Sequence, residues 1–244
     1  MKRYLRAWAM CRGMFCAIPN PWRVWDEDAR PLMLSCLPVL GLELGLIWYG
    51  LALLLGLIHA PAPIAALVLC VYPYAVTGAI HLDGFMDVVD AARSCAEPEK
   101  RREILKDPHV GSFAAAGCAV VLLAGYAVFS VGAGDHRLLI LIPAVSRCGS
   151  ALAVTLLRPI AGSQYATQDI RRRQAAVPLA VLAASLAAGF LLSGYRGFAL
   201  LIELAGYALA LVRSHRALGG VNGDAAGYCL TIAELCGIAA LVLL

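Results

Sequence analysis

Hydrophobic residues in this chain come in long, nearly unbroken runs, not in the short alternations of soluble helices and strands. Seven runs stand out, at about 32–58, 64–80, 113–131, 138–157, 175–193, 197–212 and 225–244. Crossing the hydrocarbon of a bilayer takes about 20 apolar residues, and only helices or closed barrels satisfy their backbone there. The expected fold is therefore all-α: a polytopic integral membrane helical bundle of about seven transmembrane helices, forming a single domain over residues 1–244. The second and sixth runs are the weakest, and a re-entrant segment would fit either one. Residues 1–30 differ. Arg6 and Arg12 interrupt any apolar core, so this stretch reads as an amphipathic segment at the membrane surface, stopped by Pro19 and Pro21, and not as a cleaved signal.

The segments between runs sort into two kinds. Those at 59–63, 134–137 and 193–196 are short and nearly uncharged. The others are basic: Lys2, Arg3, Arg6 and Arg12; Arg93, Lys100, Arg101, Arg102 and Lys106; Arg158 with Arg171, Arg172 and Arg173; Arg213 and Arg216. Seven spans put every basic segment on one side, and basic loops favour the cytoplasm. The expected topology has the N-terminus inside and the C-terminus at the outer face, in the cell (inner) membrane. Composition agrees. The chain is 61% hydrophobic and 15% charged, against about 25% charged in soluble domains, which excludes disordered, collagenous and nucleic-acid-binding classes. The nine cysteines include no C-x-x-C pair and lie mostly in apolar runs, as small packing residues in a reduced setting.

The acidic residues are less evenly spread. Asp83, Asp87 and Asp90 stand at i, i+4 and i+7 in GAIHLDGFMDVVDAARS, within an arc of about 60° on a helix. Three carboxylates on one face repel, and at a cytoplasmic span end a divalent cation is the natural compensation. A solvated acidic helix end is the plainer alternative. Nearer the C-terminus, LGGVNGDAAGY opens the last run with Gly219, Gly220, Gly223 and Gly227 around Asp224. Free N–H groups at a helix start suit an anion, and Asn222 and Asp224 are both candidate caps. In KRREILKDPHVGSF, Lys106 and Asp107 precede a run, where a basic residue beside carboxylates suits a metal-bound phosphate. Arg147, next to Ser146 inside the fourth run, is a candidate phosphate ligand or a partner for Glu43, Glu203 or Glu234. His81 is either an acid–base group or a buried, hydrogen-bonded histidine.

Taken together and in order, GAIHLDGFMDVVDA, EILKDPHVGSFAAAG, Ser146-Arg147 and LGGVNGDAAGY with Glu234 beyond it resemble the cobalamin synthase family, the adenosylcobinamide-GDP ribazoletransferases of vitamin B12 assembly. The family's first block, G-x-x-H-x-D-G-x-x-D-x-x-D, is matched at His81, Asp83, Gly84, Asp87 and Asp90. Its second block is matched at Lys106, Asp107 and Gly111. Its G-G-x-x-G-D-x-x-G block is matched at Gly219, Gly220, Gly223, Asp224 and Gly227, with Asn222 where threonine is common. The resemblance implies a reaction in which a ribose hydroxyl of α-ribazole, or of its 5′-phosphate, attacks the pyrophosphate of adenosylcobinamide-GDP and releases GMP, with Mg²⁺ as cofactor. It implies Asp83, Asp87, Asp90 and Asp224 as metal-side residues. Lys106, Asp107, Arg147 and the turn Gly219, Gly220, Asn222 and Gly223 then bind substrate. His81 or a carboxylate such as Asp87 takes the proton. Beyond its small-molecule substrates and the lipid bilayer, the partners expected are other enzymes of the same pathway or a second copy of the chain, docking on the basic loops; no nucleic acid is expected.

Two other classes compete. A CDP-alcohol phosphotransferase also uses helically spaced aspartates, but its D-G-x-x-A-R signature is missing: Asp83-Gly84 is followed by Phe85, Met86, Asp87 and Val88. A small transporter would use Glu43, Arg147, Glu203 and Glu234 as an ion path, yet the chain has no duplicated halves.

Overall fold

The computed structural model describes residues 2–132, 136–160 and 172–244. Gly134, Asp135 and Arg171, placed by the sequence in connecting loops, lie outside the described residues. The architecture is all-helical. Among the described residues ten α-helices follow in order: α1 Lys2–Phe15, α2 Met33–Leu57, α3 Ala62–Val76, α4 Ile80–Arg93, α5 Pro98–Ile104, α6 Ser112–Val131, α7 Ile142–Leu156, α8 Ala176–Ser193, α9 Phe198–Leu218 and α10 Gly223–Leu243. The one β-bridge among the described residues joins Pro159 to Val221.

Among the described residues five helical runs are long and apolar enough to cross a bilayer: Arg30–Leu57, Ser112–Val131, His136–Leu156, Ala176–Leu218 and Gly223–Leu243. The chain is a multi-pass membrane protein. The run Ala176–Leu218 doubles back at Gly194–Gly197. Phe190 and Phe198 meet edge to face with centroids 5.2 Å apart, whereas a straight helix would separate residues eight apart by about 12 Å along its axis. The second sequence run behaves differently from the rest. It ends at Val76, and Gly78 and Ala79 take left-handed backbone (φ +60° and +61°), so that α4 leaves α3 at 87°. α4 therefore lies across the end of the bundle instead of continuing through it. Its burial follows the sequence pattern: Gly84, Phe85, Val88 and Ala91 face inward.

Depth separates the helices. The apolar window of α7 is 83% buried and that of α10 67%, against 22% for α6, so α7 and α10 form the interior and α6 faces outward. Hydrogen bonds show which helix ends meet. Ser35 Oγ near the start of α2 donates to Gln174 O just before α8 (3.0 Å). The Ala17 N–H donates to Val76 O at the end of α3 (2.7 Å), and the Val221 N–H between α9 and α10 to Arg158 O after α7 (3.0 Å). The start of α6 is tied to α4. The ends of α2, α3, α6, α7, α8, α9 and α10 that adjoin the basic segments thus gather at one level, together with α1, α4 and α5. The N-terminal segment packs here through Ala7, Ala9, Met10 and Cys11 and through an Arg12–Glu43 ion pair (2.8 Å). α1 stops at Phe15, before the prolines. All nine cysteines are free thiols.

Candidate active site

Four aspartates are brought together by one helix crossing. α4 passes over the first turn of α10 at Gly84, where a Cβ would lie 2.8 Å from Asp224 Cα and 3.0 Å from its carbonyl oxygen. On the other helix, a Cβ at Gly227 would lie 3.0 Å from His81 O. Only glycines let the two backbones approach this closely. Thr231 Oγ1 fastens the crossing by donating to His81 O (3.3 Å). The acidic stripe of α4 therefore faces the acidic first turn of α10. Burial, and then the charges of Asp83, Asp224 and Asp90, push the Asp87 carboxyl up to about 6.

The four carboxylates differ in what already holds them. Asp83 is exposed, while Asp87, Asp90 and Asp224 are half-buried. Asp90 caps α6, accepting the Gly111 N–H at Oδ2 (2.6 Å) and the Ala114 N–H at Oδ1 (2.8 Å). Asn222 is the N-cap of α10: its Oδ1 accepts the Ala225 N–H (2.9 Å) and its Nδ2 donates to Asp224 Oδ2 (2.7 Å). Of the two caps the sequence offered, Asn222 takes the role and orients Asp224. Among the described residues no group of three or more His, Cys, Asp or Glu side chains lies close enough to enclose a metal.

The glycine turn sits beside this cluster. Gly219 closes α9 in left-handed conformation (φ +75°). Arg102 Nε and Arg101 Nη1 donate to the last α9 carbonyls, Leu218 O (3.0 Å) and Ala217 O (3.4 Å). Two guanidinium groups thus stand at the negative end of a helix, against the turn carrying Gly219, Gly220, Asn222 and Gly223. Lys106 and Asp107 lie on the exposed loop between α5 and α6. Asp107 accepts from the His109 backbone N–H (3.0 Å) and contacts His109 Nδ1 (2.6 Å), which holds its carboxyl below the usual range.

Arg147 lies deeper. It is buried in α7, and its Nη1 donates to Glu234 Oε1 (2.9 Å) and Pro143 O (3.0 Å). Ser146 Oγ donates to the same glutamate oxygen (2.9 Å). Of the three acidic partners open to it, Glu234 is the one it takes. Arg147 and Ser150 line a cavity of about 160 Å³ with His81, Gly223 and Asp224, closed by Met14 and Phe15 of α1. The His81 ring stacks on Phe15 (6.1 Å, 10°), and its Nε2 is buried without a hydrogen-bond partner among the described residues.

The chain matches the family model described as cobalamin-5-phosphate synthase over residues 7–242. It belongs to that family. Proteins named adenosylcobinamide-GDP ribazoletransferase are similar to it almost end to end. One from Clostridium perfringens is 32% identical over 98% of each chain. One from Geotalea daltonii is 34% identical over 92% of this chain and 91% of the relative, and one from Pseudomonas putida 34% over 89% of each. No solved structure matches this chain.

The structure places the four aspartates and the capped turn at one crossing and adds three groups that the sequence pattern does not single out. Arg101 and Arg102 read as orienting charges, yet they bond to the end of α9. Met14 and Phe15 carried no signal at all, because the return of α1 onto α4 is a tertiary event. Ser150 was hidden inside an apolar run.

Proposed function

We propose that this chain is the adenosylcobinamide-GDP ribazoletransferase of its organism, joining adenosylcobinamide-GDP to α-ribazole or its 5′-phosphate. The family match and the relatives' shared name over nearly the whole of both chains support the substrates. The α4–α10 crossing, which turns the acidic stripe of α4 toward Asp224 at the start of α10, is the observation that supports the chemistry. The ribose hydroxyl of α-ribazole attacks the phosphorus nearer the corrinoid. A P–O bond forms there, the bond to GMP breaks, and the hydroxyl proton passes to a protein acceptor. In-line transfer of this kind depends on positioning and charge neutralisation.

The residues divide that work. One or two of Asp83, Asp87 and Asp224 would hold Mg²⁺, with water and substrate phosphate completing its shell, and Asp90 belongs beside them as the cap that fixes α6. When bound, Mg²⁺ would supply positive charge to the pyrophosphate. Backbone N–H groups at the start of α10, with Gly219, Gly220 and Gly223 leaving space, receive phosphate oxygens. Arg102 and Lys106 add positive charge at the rim. Arg147 acts from below, through its bond to Glu234 and its side of the cavity. The proton acceptor is Asp87 or the unpartnered Nε2 of His81. The basic segments favour seven spans, counting α3 as one and α8 and α9 as two, in the cytoplasmic membrane with the site facing the cytoplasm.

The test is direct. Detergent-solubilised protein is incubated with adenosylcobinamide-GDP, α-ribazole and Mg²⁺, and GMP is measured. GMP formation that needs both substrates supports the reading; release with a lipid alcohol as acceptor, or none at all, refutes it.

A further inference from the structure

We propose that a trough between α1, the 16–25 loop and the α3–α4 corner seats the corrin ring of the donor substrate; the inference rests on the function proposed above. Two open depressions of about 470 and 500 Å³ adjoin at Met14, Cys16 and Ala17, which line both. Asp83 lies at one end, and Trp22, Arg23 and Trp25 at the other.

Position selects the occupant. The phosphorus under attack is the one nearer the corrinoid, so the macrocycle must lie within a short linker of the carboxylates. The cavity beside His81 and Arg147 holds about 160 Å³, too small for a ring system of that size, since drug-sized ligands already take about 300–1,000 Å³. The trough leaves the acidic cluster directly at Asp83 and has the needed breadth. Its chemistry also fits a broad, flat, amide-fringed ring. Trp22 and Trp25 are 54% and 56% exposed; Trp8 packs against Trp22 and Arg30 lies over the Trp25 ring (5.9 Å), and the exposed remainder of each ring is open to a ligand. The polar side chains between the charged ends are already engaged: Asn20 Nδ2 donates to Ala9 O (2.8 Å) and Thr77 Oγ1 to Pro73 O (2.7 Å). A lipid phosphate would meet Asp83 at one end and a single arginine at the other.

The trough is also preformed, which lowers the entropy lost on binding. Asn20 Oδ1 accepts the Trp22 N–H (3.1 Å), the Ala17 N–H anchors the loop to α3, and Trp8 packs on Trp22 (5.7 Å).

The experiment uses the full chain in nanodiscs and cobinamide, which lacks the nucleotide, as probe. Bound cobinamide should quench tryptophan fluorescence and compete with adenosylcobinamide-GDP. In Trp22→Ala and Trp25→Ala, both effects should weaken and the KM for adenosylcobinamide-GDP should rise about tenfold, as loss of an aromatic face does, while the KM for α-ribazole moves less than twofold. Trp22→Phe should restore most of the loss, which a misfolded chain would not. Tyr4→Ala, exposed on α1 but outside the trough, should keep the wild-type donor KM. An unchanged donor KM in both tryptophan variants overturns the proposal, and so does an equal rise in Tyr4→Ala, which would make the tryptophans membrane anchors. A wild-type protein that binds cobinamide but releases no GMP would instead count against the proposed reaction.

Discussion

Adding one methyl group at Gly84 should disable the enzyme while leaving it folded. In Gly84→Ala the new Cβ would stand 2.8 Å from Asp224 Cα, 3.0 Å from its carbonyl oxygen and 3.3 Å from its carbonyl carbon. Carbon atoms in contact prefer about 3.5–4.0 Å, so α4 and α10 must separate by roughly 1 Å at the crossing. Overpacking of this kind costs about 1–3 kcal/mol. Replacing glycine by alanine inside a helix returns about 1 kcal/mol, leaving a net loss of about 0–2 kcal/mol. The same displacement moves Asp83 and Asp87 away from Asp224, and a misplacement of about 1 Å can cost about 100-fold in rate. Turnover followed by GMP release should therefore fall about 100-fold, with only a modest shift in thermal unfolding. Gly50→Ala, at a position where a Cβ meets nothing within 4 Å, should keep wild-type activity. Turnover of Gly84→Ala within twofold of wild type would show that the crossing does not set the site.

Other outcomes follow from individual contacts. Asp90→Ala removes the cap on Gly111 and Ala114 and should cost about 1–2 kcal/mol, read as a lower midpoint in thermal unfolding. Arg147→Met leaves Glu234 buried without its ion partner and should cost about 3–5 kcal/mol, whereas the double variant Arg147→Met/Glu234→Leu should recover most of that stability. Asp87 holds its proton up to about pH 6, so protons compete with Mg²⁺ below that value; the apparent Mg²⁺ affinity, measured by titrating turnover, should fall about fivefold from pH 6 to pH 5. In the metal-free protein the sign is the reverse of an ordinary paired carboxylate. A raised folded-state value means stability falls as pH rises from about 4 to 6, and Mg²⁺ should restore it above pH 6.

Much of this protein is written locally. The apolar runs at 113–131 and 225–244 became α6 and α10 almost to the residue, because a bilayer leaves the backbone no alternative to a helix. The i, i+4, i+7 spacing placed Asp83, Asp87 and Asp90 on one stripe of α4, and Asn222 capped α10, since both depend only on near neighbours. The run at 64–80, one of the two weakest in the sequence and open to a re-entrant segment, breaks at Gly78-Ala79, with Ala79 left-handed. Gly78 alone marks that corner in the sequence, and the left-handed Ala79 beside it needs tertiary support.

By itself, then, the sequence determined a membrane bundle, the helices that build it, the side on which charge collects and the identity of the acidic residues. Hydropathy and helical period are sums over neighbouring residues, so these features could be read directly. Only the tertiary structure decided that α4 turns across the bundle to meet α10, that Arg147 chooses Glu234 from three acidic candidates, and that Asp90 is occupied holding α6. Those choices join residues 21 to 140 positions apart. They depend on which backbones can approach closely, and that is settled at Gly84 and Gly227 by the absence of a side chain.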